Sequence, residues 1–418
     1  MSAVAAGAVA RGSALEVLRV FLRLGLTSFG GPIAHLGYFR DEFVVRRRWL
    51  DERTYADLVA LCQFLPGPAS SQVGFSIGLL RAGYAGALAA WTGFTLPSAI
   101  ALVAFAYGVG AWSGTQAAGL LHGMKLVAVA IVAQAVWGMA RSLCPDRQRA
   151  TIAAVAAIVV LASGTSMAQL AAIGFGALAG LWWCGRREAD HETPAPIDKP
   201  VSGDAPLALG MRVSRRAGTI ALVAFFTLLV GLPVLGTLWP LRGIALFDAF
   251  YRSGALVFGG GHVVLPLLRE AVVPDGWVSD DAFLAGYGAA QAVPGPLFTF
   301  AAYLGAVVRE PPNGVAGAAL GLVGIFLPGL LILVGALPFW DAFRARPRAQ
   351  AMMRGVQAAV VGLLGAALYN PVWTSSVNAP MDVAIAIAGF VLLTAWRAPP
   401  LLVVVLSALA GLLAGVHA

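Results

Sequence analysis

Apolar runs of about 17–25 residues, the length that crosses a bilayer as a helix, dominate this chain. They are separated by short polar stretches, many carrying arginine. Thirteen such segments are predicted, near residues 14–39, 54–80, 84–111, 117–140, 150–164, 166–184, 217–238, 246–272, 281–307, 314–340, 350–369, 380–396 and 398–416. Residues 185–216 interrupt the pattern. They are rich in proline and charge and poor in aromatics, and read as a linker without a packed core. Two segments also carry their own breaks. Gln63–Pro68 reads QFLPGP and Gln291–Pro296 reads QAVPGP. Proline and glycine together interrupt a helix.

These breaks belong to a repeat. RLGLTSFGGP, from Arg23, matches RSGALVFGGG, from Arg252. Arg40-Asp41 matches Arg269-Glu270, and Trp49 matches Trp277. FTLPSAI resembles IFLPGLL, and Met124-Lys125 answers Met353-Arg354. The order is kept at near-constant spacing. The predicted organisation is an N-terminal repeat (1–184), a cytoplasmic linker (185–216), a connecting segment (217–245) and a C-terminal repeat (246–418).

Arginine placement orients the repeats. If the FGG and PGP segments enter and leave on one side, Arg40, Arg46, Arg47, Arg48 and Arg53, the 141–149 loop, the linker and Arg344, Arg346 and Arg348 all face the cytoplasm. That is where basic loops belong. If every segment simply crosses, strongly basic loops fall on the wrong side. Each repeat then crosses an even number of times and the lone connector inverts the second copy. The expected fold is an all-α polytopic membrane protein of two inverted repeats with broken or re-entrant helices. Its N-terminus is cytoplasmic and its C-terminus extracytoplasmic. Each half-helix spans about 20 Å at 1.5 Å per residue. Interrupted backbone at that depth survives when buried in protein or lining a cavity, and in inverted repeats it marks a transporter's substrate site.

Composition agrees. The chain is 59% hydrophobic and 11% charged, against about 25% charged in soluble proteins. Its mean hydropathy is +0.81. Net charge is +8, which orients loops rather than binding nucleic acid. Cys62, Cys144 and Cys184 form no disulfide framework or metal spacing. No phosphate-binding loop of the GxxxxGK[ST] type occurs, and no nucleophile–base pair or paired carboxylates suggest an enzyme. No cofactor or metal is expected.

The candidate chemistry is anion binding. Half-helix N-termini present free N–H groups, and the flexible backbone of Phe29, Gly30 and Gly31, and of Gly259, Gly260 and Gly261, can form amide nests. Arg23 and Arg252 sit six residues before the two FGG motifs, and Lys125 and Arg354 form a second matched pair. Cations within apolar runs are costly and functional, although snorkelling to an interface is the alternative. Gln63, Pro66 and Gly67, with Gln291, Pro294 and Gly295, form the breaks. Ser70, Ser71 and Thr299 follow them as possible donors, or as local caps. His35 and His262 have no counterparts and read as structural. Asp57 is a weak proton-carrier candidate, and Asp280-Asp281 reads as a helix cap.

FGGPIAHLGYFRDEFVVRRRWLDERTYADLVALCQFLPGPASSQVGFSIG resembles the N-terminal signature of the chromate ion transporter family. FGGGHVVLPLLREAVV and GWVSDDAFLAGYGAAQAVPGP resemble its C-terminal counterpart. The resemblance spans nearly the whole chain outside the linker and the first dozen residues. It implies the long, two-domain form, located in the inner membrane, exporting chromate from the cytoplasm and handling related oxyanions such as sulfate. The residues alone point no further than a small anion. A carrier or exchanger for sulfate or another tetrahedral oxyanion is the alternative. The expected partners are such an oxyanion and the lipid bilayer; a homodimer is compatible with the class.

Overall fold

In a computed structural model, described for residues 12–111, 115–163, 166–184, 213–258, 261–340 and 346–416, the chain is helical, with no strand among the described residues. The first half contains α1 (Ala14–Thr27), α2 (Gly31–Arg40), α3 (Glu52–Phe64), α4 (Ala69–Ala111), α5 (Thr115–Leu143), α6 (Arg147–Ser163) and α7 (Ser166–Ala179). A connecting α8 (Arg215–Leu238) precedes α9 (Arg242–Ala255), α10 (Val264–Val272), α11 (Asp280–Ala292), α12 (Phe300–Val307), α13 (Gly314–Ala336), α14 (Pro347–Ala367), α15 (Pro380–Thr394) and α16 (Pro400–Val416). Most of the linker lies outside the described residues.

Among the described residues, five helical stretches are long and apolar enough to cross a membrane: Ala69–Gly108, Gly119–Leu143, Arg215–Leu238, Gly314–Phe339 and Pro347–Trp373. Shorter apolar helices accompany them, so the thirteen uniform segments resolve into long and short elements. The reason is local. Segments 14–39, 54–80, 246–272 and 281–307 each contain an FGG or PGP motif, and each is divided there. Thus α1 stops at Thr27 and α2 starts at Gly31; α3 stops at Phe64 and α4 starts at Ala69. In the second half, α9 stops at Ala255 and the next helical turn begins at Gly261. There α11 stops at Ala292, and a 3-10 turn at Leu297 leads into α12. Gly67 (φ 116°) and Gly295 (φ 104°) both adopt the left-handed region, which glycine enters without penalty. α4 is itself interrupted at Ala82 and Gly83, giving arms 69–81 and 84–111.

Small residues set the packing, as expected where lipid supplies no hydrophobic drive between helices. α1 crosses the far arm of α4 with Gly25 against the backbone of Gly93 and Phe94. α9 crosses α13 with Gly254 against Ile325, the matched position in the second half. The scaffold helices are exchanged. α5 of the first half packs on α15 and α16 of the second, and α14 of the second packs on α6 and α7 of the first. Glycines mark both seams: Gly119 meets Gly411 and Gly123 meets Ser407, while Gly176 and Gly180 meet Gly355. Large apolar side chains such as Leu88, Ile100, Ile220, Phe226, Val230 and Leu413 cover the outside. A patch of that extent is disallowed on a soluble monomer and suits a lipid-facing surface.

Candidate functional site

Pro-Gly-Pro offers one backbone N–H, that of its glycine, because proline has none. In both halves that single donor crosses to the other half. Gly67 N donates to Val257 O at 2.8 Å, and Gly295 N donates to Ser28 O at 2.9 Å. Val257 and Ser28 are the matched residues just before the two FGG motifs. The exchange is reciprocal, as at an isologous interface. Behind each loop the partner half supplies a second contact at its Leu-Pro motif. A Cβ on Gly67 would come 2.9 Å from Gly329 Cα, and one on Gly295 would come 2.9 Å from Ser98 Oγ. All four helix interruptions therefore meet at one junction between the halves.

The first-half loop is the more enclosed: Pro66, Gly67 and Pro68 are all buried, whereas in the second half Pro294 and Gly295 are half-buried and Pro296 is buried. Gln72, fully buried, fixes the loop. Its Nε2 donates to Pro66 O at 2.9 Å and to Gly329 O at 2.8 Å. Two carbonyl acceptors define which end of the amide is nitrogen. His35, also fully buried, spans the FGG and PGP regions. Its Nε2 lies 3.2 Å from Ser28 O and its Nδ1 3.4 Å from Ser70 Oγ. A carbonyl only accepts, so Nε2 carries the hydrogen. In the neutral ring Nδ1 then accepts from the Ser70 hydroxyl. Phe94 stands edge-on to the imidazole, with ring centroids 5.2 Å apart.

Several buried polar atoms here have no partner: Ser28 Oγ, Ser71 Oγ, Thr95 Oγ1, Gln72 Oε1 and Gln291 Nε2. Such groups are rare in proteins and need an explanation. Ser28 and Ser71 are hydroxyl donors beside the start of α2 and within the first turn of α4. Backbone N–H groups are unsatisfied at both places, and the dipole favours negative charge. The arrangement supplies donors to a small anion without a fixed counter-charge.

The structure brings the motif residues together and gives three of the four cations protein partners of their own. Phe29 and Gly31 are half-buried and Gly30 is exposed. Gly261 opens a 3-10 turn, while Gly259 and Gly260 lie outside the described residues. Arg23 is exposed on the face of α1 opposite buried Val17, Phe21 and Leu24. Arg252 pairs with Asp248 one turn back, at 2.6 Å. The residue one turn before Arg23 is Arg19, so the two arginines cannot behave alike. Lys125 pairs with Asp281 at 2.8 Å, and Arg354 donates to Cys184 O at 3.1 Å. Lys125, Arg252 and Arg354 are thus each engaged within the protein, and Arg23 is exposed.

The other expected residues take these places. The Gln63 side chain is exposed, and the residue contributes its carbonyl to Gln357 Nε2 at 3.4 Å. Thr299 Oγ1 donates locally to Pro296 O at 2.8 Å, so it acts as a cap. Ser279, not the acidic pair, caps α11 by accepting from Ala282 N at 3.3 Å. Asp280 instead binds Arg269 at 2.9 Å. Asp57 is in the first half of α3 and His262 binds Tyr287 OH at 2.7 Å. The sequence reading passed over Ser28, Gln72 and Thr95 as site residues. The signal for Gln72 was available: an amide side chain within a helix buried on every side, five residues after the Pro-Gly-Pro glycine.

Comparison with known proteins agrees with this architecture. The Chromate transporter family profile matches residues 15–181 and 244–412, one range in each half. The "Chromate transport protein" of Pseudomonas aeruginosa is 30% identical over 401 residues, covering 90% of this chain and 86% of that protein. The "Probable chromate transport protein" of Synechococcus elongatus is 26% identical, covering 95% of each. The "Chromate transport protein" of Cupriavidus metallidurans is 26% identical, covering 87% and 84%. No solved structure matches the chain. With both halves matched and the interrupted helices meeting between them, the chain belongs to the chromate transporter family.

Proposed function

We propose that the chain is a secondary transporter that moves chromate out of the cytoplasm. The anion is held where the interrupted helices of the two halves meet. The observation that carries this reading is the reciprocal pair of bonds, Gly67 N to Val257 O and Gly295 N to Ser28 O. They bring amide-rich helix starts and the unpartnered hydroxyls of Ser28 and Ser71 to one place. The relatives' names supply the anion. Ser70, Gly30, Gly31 and the first turn of α4 make up the rest of the anion's surroundings, with Gln291 reaching in from the second half. Lys125, Arg252 and Arg354 raise the local potential from their own ion pairs and hydrogen bonds, and Arg23 lies at the lipid-facing side. The two repeats are inverted in an inner membrane, with a cytoplasmic N-terminus and an extracytoplasmic C-terminus. Reciprocal bonding supports the two-fold relation, and the arginine-rich loops support the direction.

Voltage favours export of the anion. Moving a dianion outward gains about 4.6 kcal/mol per 100 mV, twice the unit-charge value. That corresponds to a concentration ratio above a thousandfold. Labelled chromate flux in proteoliposomes should therefore follow an imposed potential. Ser71→Ala and Ser28→Ala, each removing a donor to a charged ligand worth roughly 1.5–3 kcal/mol, should weaken chromate binding about ten- to a hundredfold. Flux indifferent to voltage, or unchanged affinity in both variants, defeats the reading. Counterflow with sulfate tests exchange of another tetrahedral oxyanion.

A further inference from the structure

The His35–Ser70 pair is more than packing. Ser70 is buried at the start of α4, where an anion would sit, yet its hydrogen is committed to an imidazole. Ser28 O accepts from both His35 Nε2 and Gly295 N, so the same ring touches the bond that joins the halves. In the second half the matched positions are Val264 and Phe298. The pair occurs once per chain.

We propose that His35 takes up a proton when the oxyanion binds, so that each anion is carried together with one proton and the net charge moved, with its gain from voltage, is half that of the dianion alone. This rests on the anion site described above. The proton comes from water and adds to the Nδ1 lone pair; no bond in the protein breaks. Nδ1–H then donates to Ser70 Oγ, and the Ser70 hydroxyl, released from its donor role toward the ring, turns its hydrogen to the anion. The imidazolium offsets one of the two negative charges, and its Nε2–H bond to Ser28 O becomes charge-assisted and stronger. Without the anion, a buried cation here is uncompensated and costly. Proton and anion therefore promote each other's binding, by the same factor in each direction.

The groups facing His35 are Ser28 from the end of α1, Ser70 from the near arm of α4 and the Phe94 ring from its far arm. Charged residues on the packed elements are engaged elsewhere or distant along them. Arg23 lies on the exposed face of α1. Arg40 and Asp41 stand at the far end of α2, Arg40 bound to Glu52. Arg53 and Asp57 are in the first two turns of α3, and Arg81, at the last residue of the near arm of α4, is bound to Glu16. The loop from Val293 to Pro296 brings no charge.

The test is a proton count on purified full-length chain in weakly buffered solution, with a pH-reporting dye, above the range in which chromate itself protonates. Wild type is expected to remove about one proton per chromate bound, and its chromate Kd should fall about tenfold per pH unit of acidification, as one linked proton requires. His35→Gln should bind chromate without proton uptake and with a pH-independent Kd. Ser70→Ala should lose about ten- to a hundredfold in affinity at the lower end of that pH range. If wild type binds chromate with no proton uptake, the coupling is overturned and the anion site stands. If wild type binds no chromate, both fall. Should His35→Gln fail to fold, wild-type flux at zero voltage decides: a tenfold pH gradient should shift the zero-flux chromate gradient tenfold. No shift overturns the coupling.

Discussion

At the scale of single residues, the two Pro-Gly-Pro glycines invite a comparison because the nearest atom behind each is of a different kind. Both hold left-handed φ, which costs a side-chain-bearing residue about 1–3 kcal/mol. Behind Gly67 stands the backbone of Gly329, which cannot yield, whereas behind Gly295 stands the Ser98 hydroxyl. Gly67→Ala should lower the melting temperature in detergent and flux more than Gly295→Ala. Adding Ser98→Ala should recover part of the loss in the second variant only. Equal losses, with no recovery, contradict the assigned geometry. The breaks themselves were legible, since proline and glycine act on their own backbone. The destination of the freed N–H groups was not, because Gly67 and Val257 are joined only through the fold. The same holds for the cations. Arg23 and Arg252 are the same residue at the same repeat position, but Asp248 against Arg19 one turn earlier gives them opposite surroundings.

At the scale of elements, each broken hairpin is closed at its base by a matched ion pair: Arg40 with Glu52 at 2.6 Å, joining α2 to α3, and Arg269 with Asp280 at 2.9 Å, joining α10 to α11. The first is solvent-exposed. The second is less exposed and bidentate, with Arg269 Nη2 reaching the other carboxylate oxygen at 3.1 Å. Orientation and a second hydrogen bond decide the worth of such a pair. Arg40→Gln should leave stability unchanged, while Arg269→Gln should reduce it measurably. A double-mutant cycle with Asp280→Asn should return a positive coupling. Lys125 gives a sharper contrast. Its side chain is 12% exposed, and its partner Asp281 is 76% exposed. Asp281→Asn strands a nearly buried cation, so adding Lys125→Met should restore stability rather than compound the loss. Helix identities and breaks were readable from apolar runs, but their partners were not. The Asp281 carboxylate was legible as a helix-start acid, and only the packing of α11 on α5 gives it a cation.

At the scale of the molecule, topology follows from counting crossings, and it can be measured. In a cysteine-free background, a single cysteine placed at residue 200 should react with a membrane-permeant thiol reagent only. One placed after α16 should react with an impermeant reagent on intact cells. Both cysteines on one face would end the inverted arrangement. The exchange of α5 and α14 between the halves bears on something else, the biogenesis of the protein. Gly123 docks against Ser407, so the small-residue seam of α5 stays open to lipid until almost the entire polypeptide has left the ribosome. Such a pairing joins positions far apart in sequence, and non-local contacts form late. Nascent chains stalled before α16 should thus hold an unfinished first half, recognisable to membrane quality-control proteases, however complete that half looks in sequence.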